Sequence, residues 1–150
     1  MYESDCDFVD GEVQERNAGE FDHARLQGAI TAYFYARHKE WGICVVPEQR
    51  VHVSPTRFRV PDVCVIVGQP KGQIFRDPPL LCIEILSPDD RLSRMNERVA
   101  DYLQLGVPYV WTLDPQTRKA WRCTSGAMVE VPELRTENPT MVVPLEELFS

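Results

Sequence analysis

No hydrophobic run in this 150-residue chain approaches the ~20 residues that cross a bilayer, so no membrane span is expected. The first ten residues are acidic where a secretory leader would be basic, so none is expected there. Cysteine is present as five residues, an odd count with no C-x-x-C pair. That excludes a cysteine zinc site of the usual spacing, and it suits a reducing cytoplasm better than a disulfide framework. Repeats, low-complexity tracts and Gly/Ser linkers are also missing, so the expectation is one domain over 1–150. Bases are scarce, 16 against 23 acids, for a formal net charge of -7. The deficit is local: Met1 to Asp22 hold eight acids and one base, Arg16, which leaves the remainder balanced. Acidity at one end argues against strong non-specific nucleic-acid binding, while a neutral body can still carry a local basic face.

What is present has ordinary globular proportions, 43% hydrophobic and 26% charged. Asp10-Gly11 between two short alternating stretches marks a β-hairpin. The spacing of Leu26, Ile30, Tyr33 and Phe34 predicts a helix over Phe21 to Lys39. Ile43 to Val46 and Arg50 to Val53 read as strands, and Val60 to Val67 and Leu80 to Leu86 as central strands covered on both faces. Ser87-Pro88-Asp89-Asp90 supplies the start signals of a second helix, which Gly106 and Pro108 end. Leu92, Met95, Val99, Tyr102 and Leu103 form its apolar stripe, with Arg91, Arg94 and Arg98 opposite. Tyr109 to Leu113, Lys119 to Thr124 and Ala127 to Val131 follow as strands, and Leu145, Leu148 and Phe149 suggest a short closing helix. This order predicts an α/β (or α+β) domain, a mixed sheet flanked by helices.

Two acids interrupt apolar strands. Asp62 follows Pro61 ahead of Val63-Cys64-Val65-Ile66-Val67, a place where a turn residue also fits. Glu84 lies within Leu80 to Leu86, the most apolar heptad of the chain. A buried carboxylate costs several kcal/mol unless something offsets its charge, so Glu84 calls for a metal or an arginine partner. Two carboxylates at matching depth on adjacent strands offer the hard oxygen ligands that suit Mg²⁺ completed by water and phosphate. A structural ion pair of Glu84 with an arginine is the alternative.

"DGEV", the early helical His23, "VPDVCVIV", "LLCIEILSPDDR" and "DYLQLGVPYVWTLDP" resemble the Uma-type putative restriction endonucleases, a family of the PD-(D/E)XK nuclease superfamily. The likeness runs from about Val9 to Trp121. It implies a restriction-endonuclease-like core, with Asp62 and Glu84 as the metal carboxylates. Glu20 becomes a candidate additional acid, and His23 matches a histidine common in the family; Glu12 in the hairpin reads as structural. The superfamily lysine would fall at Leu86. Uma-type sequences commonly carry it on the following helix, where this chain has Arg98, one turn before Tyr102, and Arg94 one turn earlier. A guanidinium holds phosphate and offsets charge but does not release a proton near neutral pH.

The expectation is therefore a Mg²⁺-dependent (Mn²⁺ in its place) DNA endonuclease: Asp62 and Glu84 on the metal, Arg98 with Arg94 on the phosphate, and a metal-activated water attacking in line. The likeness adds a homodimer with DNA as partner, and the cysteine count a cytoplasmic location. Two other readings stay open: a nuclease-fold module that binds nucleic acid or protein without turnover, and a core ion pair without a ligand.

Overall fold

The computed structural model describes residues 6–14, 20–88 and 90–149. The apolar strand-like stretches build a six-stranded sheet in the order β10-β9-β8-β7-β6-β3. Its strands are β3 (Ile43–Pro47), β6 (Val63–Val67), β7 (Leu81–Ile85), β8 (Tyr109–Asp114), β9 (Lys119–Thr124) and β10 (Ala127–Val131). Only β7 and β8 run parallel, joined through helix α3 (Leu92–Leu105); all other neighbours are antiparallel, so the sheet is mixed as expected. Every residue of β7 is buried. Its odd positions Leu81, Ile83 and Ile85 pack in one core with Leu26, Ile30 and Phe34 of α1 (Phe21–Ala36), while Cys82 faces a second core with Met95, Val99 and Tyr102 of α3. The two-residue period of a strand thus splits β7 between two helices.

A second sheet, in the order β2-β1-β5-β4, contains β1 (Asp7–Val9), β2 (Glu12–Gln14), β4 (Val51–Ser54) and β5 (Arg57–Arg59). The predicted hairpin forms its β1–β2 arm, with Asp10 and Gly11 both at positive φ, 51° and 90°. Both central residues of the turn are left-handed, the conformation for which Asp-Gly is favoured. Charge ties this sheet to α3. Arg59, 1% exposed, donates from Nε to Asp101 of α3 (2.8 Å) and from Nη1 to Asp7 of β1 (3.1 Å). Burial works against the Arg59 charge, but the bond from Asp101 and the charge of Asp7 outweigh it and raise its pKa. Arg57 continues the chain of charge to Asp101 and to Asp10, whose carboxyl it holds below its ordinary range.

The structure differs from the sequence reading at several elements. The first helix stops at Ala36, because Arg37 leaves helical geometry at φ -114°, and a short α2 (His38–Trp41) follows. Ser87 and Pro88 do not open α3: the Ser87 amide donates to Asp90 Oδ2 (2.8 Å) in a tight turn, and the helix begins at Leu92. Asp89 lies outside the described residues, as does Arg16. The chain after Val131 forms a hairpin, β11 (Glu133–Thr136) with β12 (Met141–Pro144), before the expected closing helix α4 (Leu145–Leu148). Of the tryptophans, Trp111 is core and Trp41 and Trp121 are half-buried.

Removing one partner of a buried ion pair leaves the other charge uncompensated, at about 3–5 kcal/mol. Arg59→Ala is expected to lose that much in urea unfolding. Arg135→Ala, which breaks the exposed pair with Glu133, is expected to lose under about 1 kcal/mol.

Candidate active site

The antiparallel register of β6 with β7 pairs Val63 with Ile83 and Cys64 with Cys82. One further step sets Asp62 opposite Glu84, and Asp62 Oδ2 accepts the Ile85 amide at 2.6 Å. Both acids are buried, Asp62 at 2% and Glu84 at 0% exposure.

Each acid is held by a helix pair four residues apart. On α1, His23 Nε2 lies 3.3 Å from Asp62 Oδ1, and Gln27 Nε2 donates to the Asp62 carbonyl at 2.9 Å. On α3, Arg98 Nε lies 3.3 Å from Glu84 Oε1, and the Tyr102 hydroxyl donates to Oε2 at 2.6 Å. A spacing of i and i+4 puts both members of each pair on one helix face, one turn apart. Arg98 also reaches back to Asp90 Oδ1 at 3.8 Å, joining the turn before α3 to the pair. Glu84 belongs to the even positions of β7 and so meets α3, whereas Asp62 lies just before β6 and meets α1. The adjoining ends of β6 and β7 thus carry two buried carboxylates, Asp62 meeting an imidazole of α1 and Glu84 a guanidinium of α3.

The structure does not gather every sequence candidate. Glu20 caps the start of α1 with its backbone only and is exposed. Glu12 is exposed on β2. Arg91 and Arg94 are exposed, but Arg98 turns inward at 7% exposure, so the three do not share a solvent face. Arg98 stands three residues after Met95 and four before Tyr102, so helical spacing sets it beside the apolar stripe, where it balances Glu84. Gln27 was not anticipated and Tyr102 was read only as part of the apolar stripe; their i+4 relation to His23 and Arg98 was the signal that could have found them.

The divalent ion implied by the resemblance fits the donor chemistry. Asp62 and Glu84 supply hard carboxylate oxygens from neighbouring strands, the type Mg²⁺ and Mn²⁺ accept. Among the described residues no cluster of three or more His, Cys, Asp and Glu is arranged to hold a metal. The protein would therefore contribute two acids, leaving other positions to water and substrate oxygen. A larger cavity, about 830 Å³, lies at the opposite end of β6 and β7 against Val67, Ile74, Pro79 and Leu80, away from both carboxylates.

The architecture is a mixed central sheet flanked by helices. The structure is similar to that of a putative nuclease belonging to DUF820 from Anabaena variabilis ATCC 29413, with a TM-score of 0.77 and 17% identity over 96% of this chain and 89% of that one. The chain belongs to the Uma2 family, described as putative restriction endonucleases, whose model matches residues 2–150. No curated protein matches it.

The α3 pair can be weighed by stability. Hydrogen bonds to charged groups are worth about 1.5–3 kcal/mol, so Tyr102→Phe is expected to cost that much in urea unfolding. Arg98→Ala strands a buried carboxylate and is expected to cost about 3–5 kcal/mol. In Arg98→Ala/Glu84→Gln much of that loss returns, because the unpaired charge is gone; a fully additive double variant would show that Arg98 stabilises by packing alone.

Proposed function

We propose that this Uma2-family chain is a metal-dependent endonuclease acting on DNA, with Asp62 and Glu84 as its metal carboxylates. What supports this is the pairing of their backbone positions at the adjoining ends of β6 and β7, each acid fastened by a helix-borne pair. Such acids need positive charge beside them, and a divalent ion is one source of it. When bound, Mg²⁺ would acidify water and offset charge building on a scissile phosphate. The chain's own residues do the positioning. The Ile85 amide and His23 fix the Asp62 carboxylate, and Tyr102 fixes Glu84 Oε2. Arg98 balances Glu84 and, once released from it, has the charge and reach to hold a phosphate oxygen.

The sealed pair of Arg98 with Glu84 favours a second reading, a fold that binds its partner without turning over. Arg98 cannot donate a proton to water or take one up as a lysine can, and Leu86 occupies the alternative lysine position. Cys44, Cys64, Cys82 and Cys123 form no disulfide, which suits a reducing cytoplasm. Cleavage of both strands suits a homodimer, and β10 leaves a sheet edge with Met128 and Val129 exposed for a second copy.

Two measurements decide between the readings. Millimolar Mg²⁺ or Mn²⁺ is expected to raise the melting temperature of wild type and not of Glu84→Ala; equal responses contradict metal binding at this pair. Nicking or linearisation of plasmid DNA is expected with Mn²⁺, lost in Asp62→Ala and raised in Arg98→Lys. Metal binding with every DNA substrate left intact favours the non-cleaving reading.

A further inference from the structure

Arg98 stands between two acids. Its Nε lies 3.3 Å from Glu84 Oε1, and its Nη2 lies 3.8 Å from Asp90 Oδ1. The acids differ in setting. The Glu84 side chain is fully buried, that of Asp90 is 13% exposed, and that of Arg98 falls between them at 9%. Asp90 is fixed by the turn that joins β7 to α3. Its Oδ2 accepts the Ser87 amide at 2.8 Å, and its own amide returns to the Ser87 carbonyl at 3.0 Å. The Leu86 amide, one residue earlier, donates to the Leu113 carbonyl of β8 at 2.8 Å, so the turn starts from the central sheet. A carboxylate held through its backbone and one oxygen thus presents the other oxygen to Arg98.

A divalent cation would change the balance at Glu84. Oε2 of that residue accepts the Tyr102 hydroxyl at 2.6 Å, and Oε1 faces Arg98. A cation drawn to Oε1 meets the guanidinium at the same oxygen, and like charges in a buried place repel strongly. Arg98 cannot relieve this by losing its proton, because a guanidinium stays charged. It can only move. A buried charge that leaves one partner needs another, and Asp90 already lies within ion-pair range. The step from Glu84 toward Asp90 also carries the guanidinium from the more buried acid to the more exposed one.

We propose that Asp90 is a positioning residue of the carboxylate site, which receives Arg98 when a divalent cation occupies Glu84. The inference rests on the metal site proposed above and adds the residue that lets Glu84 exchange one positive partner for another. Asp90 acts through Arg98 and touches neither metal nor substrate. It holds the displaced guanidinium at a fixed place beside the site, with its remaining N–H groups available to a phosphate oxygen.

Two measurements on the full chain test this, one of them without metal. Glu84→Gln removes the charge that a bound cation would neutralise. In crystals of that variant, Arg98 Nη2 is expected to close on Asp90 Oδ1 to about 2.8 Å, a charge-assisted hydrogen bond. A guanidinium that stays against residue 84, with Asp90 still 3.8 Å away, would overturn the proposal. The second measurement is Mn²⁺ affinity, read from the paramagnetic signal of the unbound ion. Asp90→Asn keeps an oxygen for the Ser87 amide and removes only the charge, and it is expected to bind Mn²⁺ several-fold more weakly than wild type. In an Arg98→Met background the same substitution should change nothing, because the group to be received is gone. Should Arg98→Met fail to fold, the Glu84→Gln structure decides alone. Equal affinities of wild type and Asp90→Asn would overturn the proposal. So would an equal loss in both backgrounds, which would make Asp90 a general source of negative charge. A wild type that takes up no Mn²⁺ overturns the metal site and this inference with it, whereas uptake indifferent to Asp90 overturns the inference alone.

Discussion

A carboxylate within the most apolar strand of a sheet must have its charge answered locally, and at Glu84 that requirement organises the neighbourhood. Its position on β7 turns it toward α3, and α3 meets it with Tyr102 on one oxygen and Arg98 on the other. Asp62 imposes the same demand from the end of β6, and α1 meets it with His23 and Gln27. The two helices are thus fixed to the sheet by polar contacts at one edge as well as by apolar packing along their length. Buried polar groups of this kind contribute little net stability compared with well-packed apolar side chains, yet they are costly when half removed. They specify one arrangement of strand and helix, which buries an acid at each of two adjoining strand ends, His23 beside Asp62 and Arg98 beside Glu84.

The ionic chain Asp7–Arg59–Asp101–Arg57–Asp10 extends the same logic away from the site. Asp101 precedes Tyr102 on α3, so the smaller sheet and the Glu84 anchor grip one helix from adjoining positions. The N-terminal hairpin is therefore tied to the same helix through Arg57 and Arg59, and its Glu12 is exposed.

Much of this was legible in the residues. The Asp10-Gly11 turn, the runs that became β6 and β7, and the strands Lys119–Thr124 and Ala127–Val131 carry local signals strong enough to stand alone. Asp62 and Glu84 stood out because an acid in a β-branched run violates the pattern around it. What could not be read depended on distance in the chain. Arg57 and Arg59 fall between the stretches read as strands, and only the fold makes them β5 and brings Asp7 and Asp101 to Arg59 across more than forty residues. Arg98 was placed opposite the apolar stripe, yet its step of three from Met95 and of four to Tyr102 sets it beside that stripe, where it meets Glu84. The β11–β12 hairpin was missed because the prolines around it suggested loop, and its turn passes through Asn138-Pro139 between two short strands.

The central claim is that Asp62 and Glu84 form a divalent-ion site whose resting counter-charge is Arg98. Anomalous diffraction from a crystal equilibrated with Mn²⁺ tests it most directly. The account predicts a peak bridging the two carboxylates, with the Arg98 side chain moved off Glu84. Density that shows no ion there, with the guanidinium still against Glu84 at saturating metal, would contradict it and leave a structural ion pair in its place.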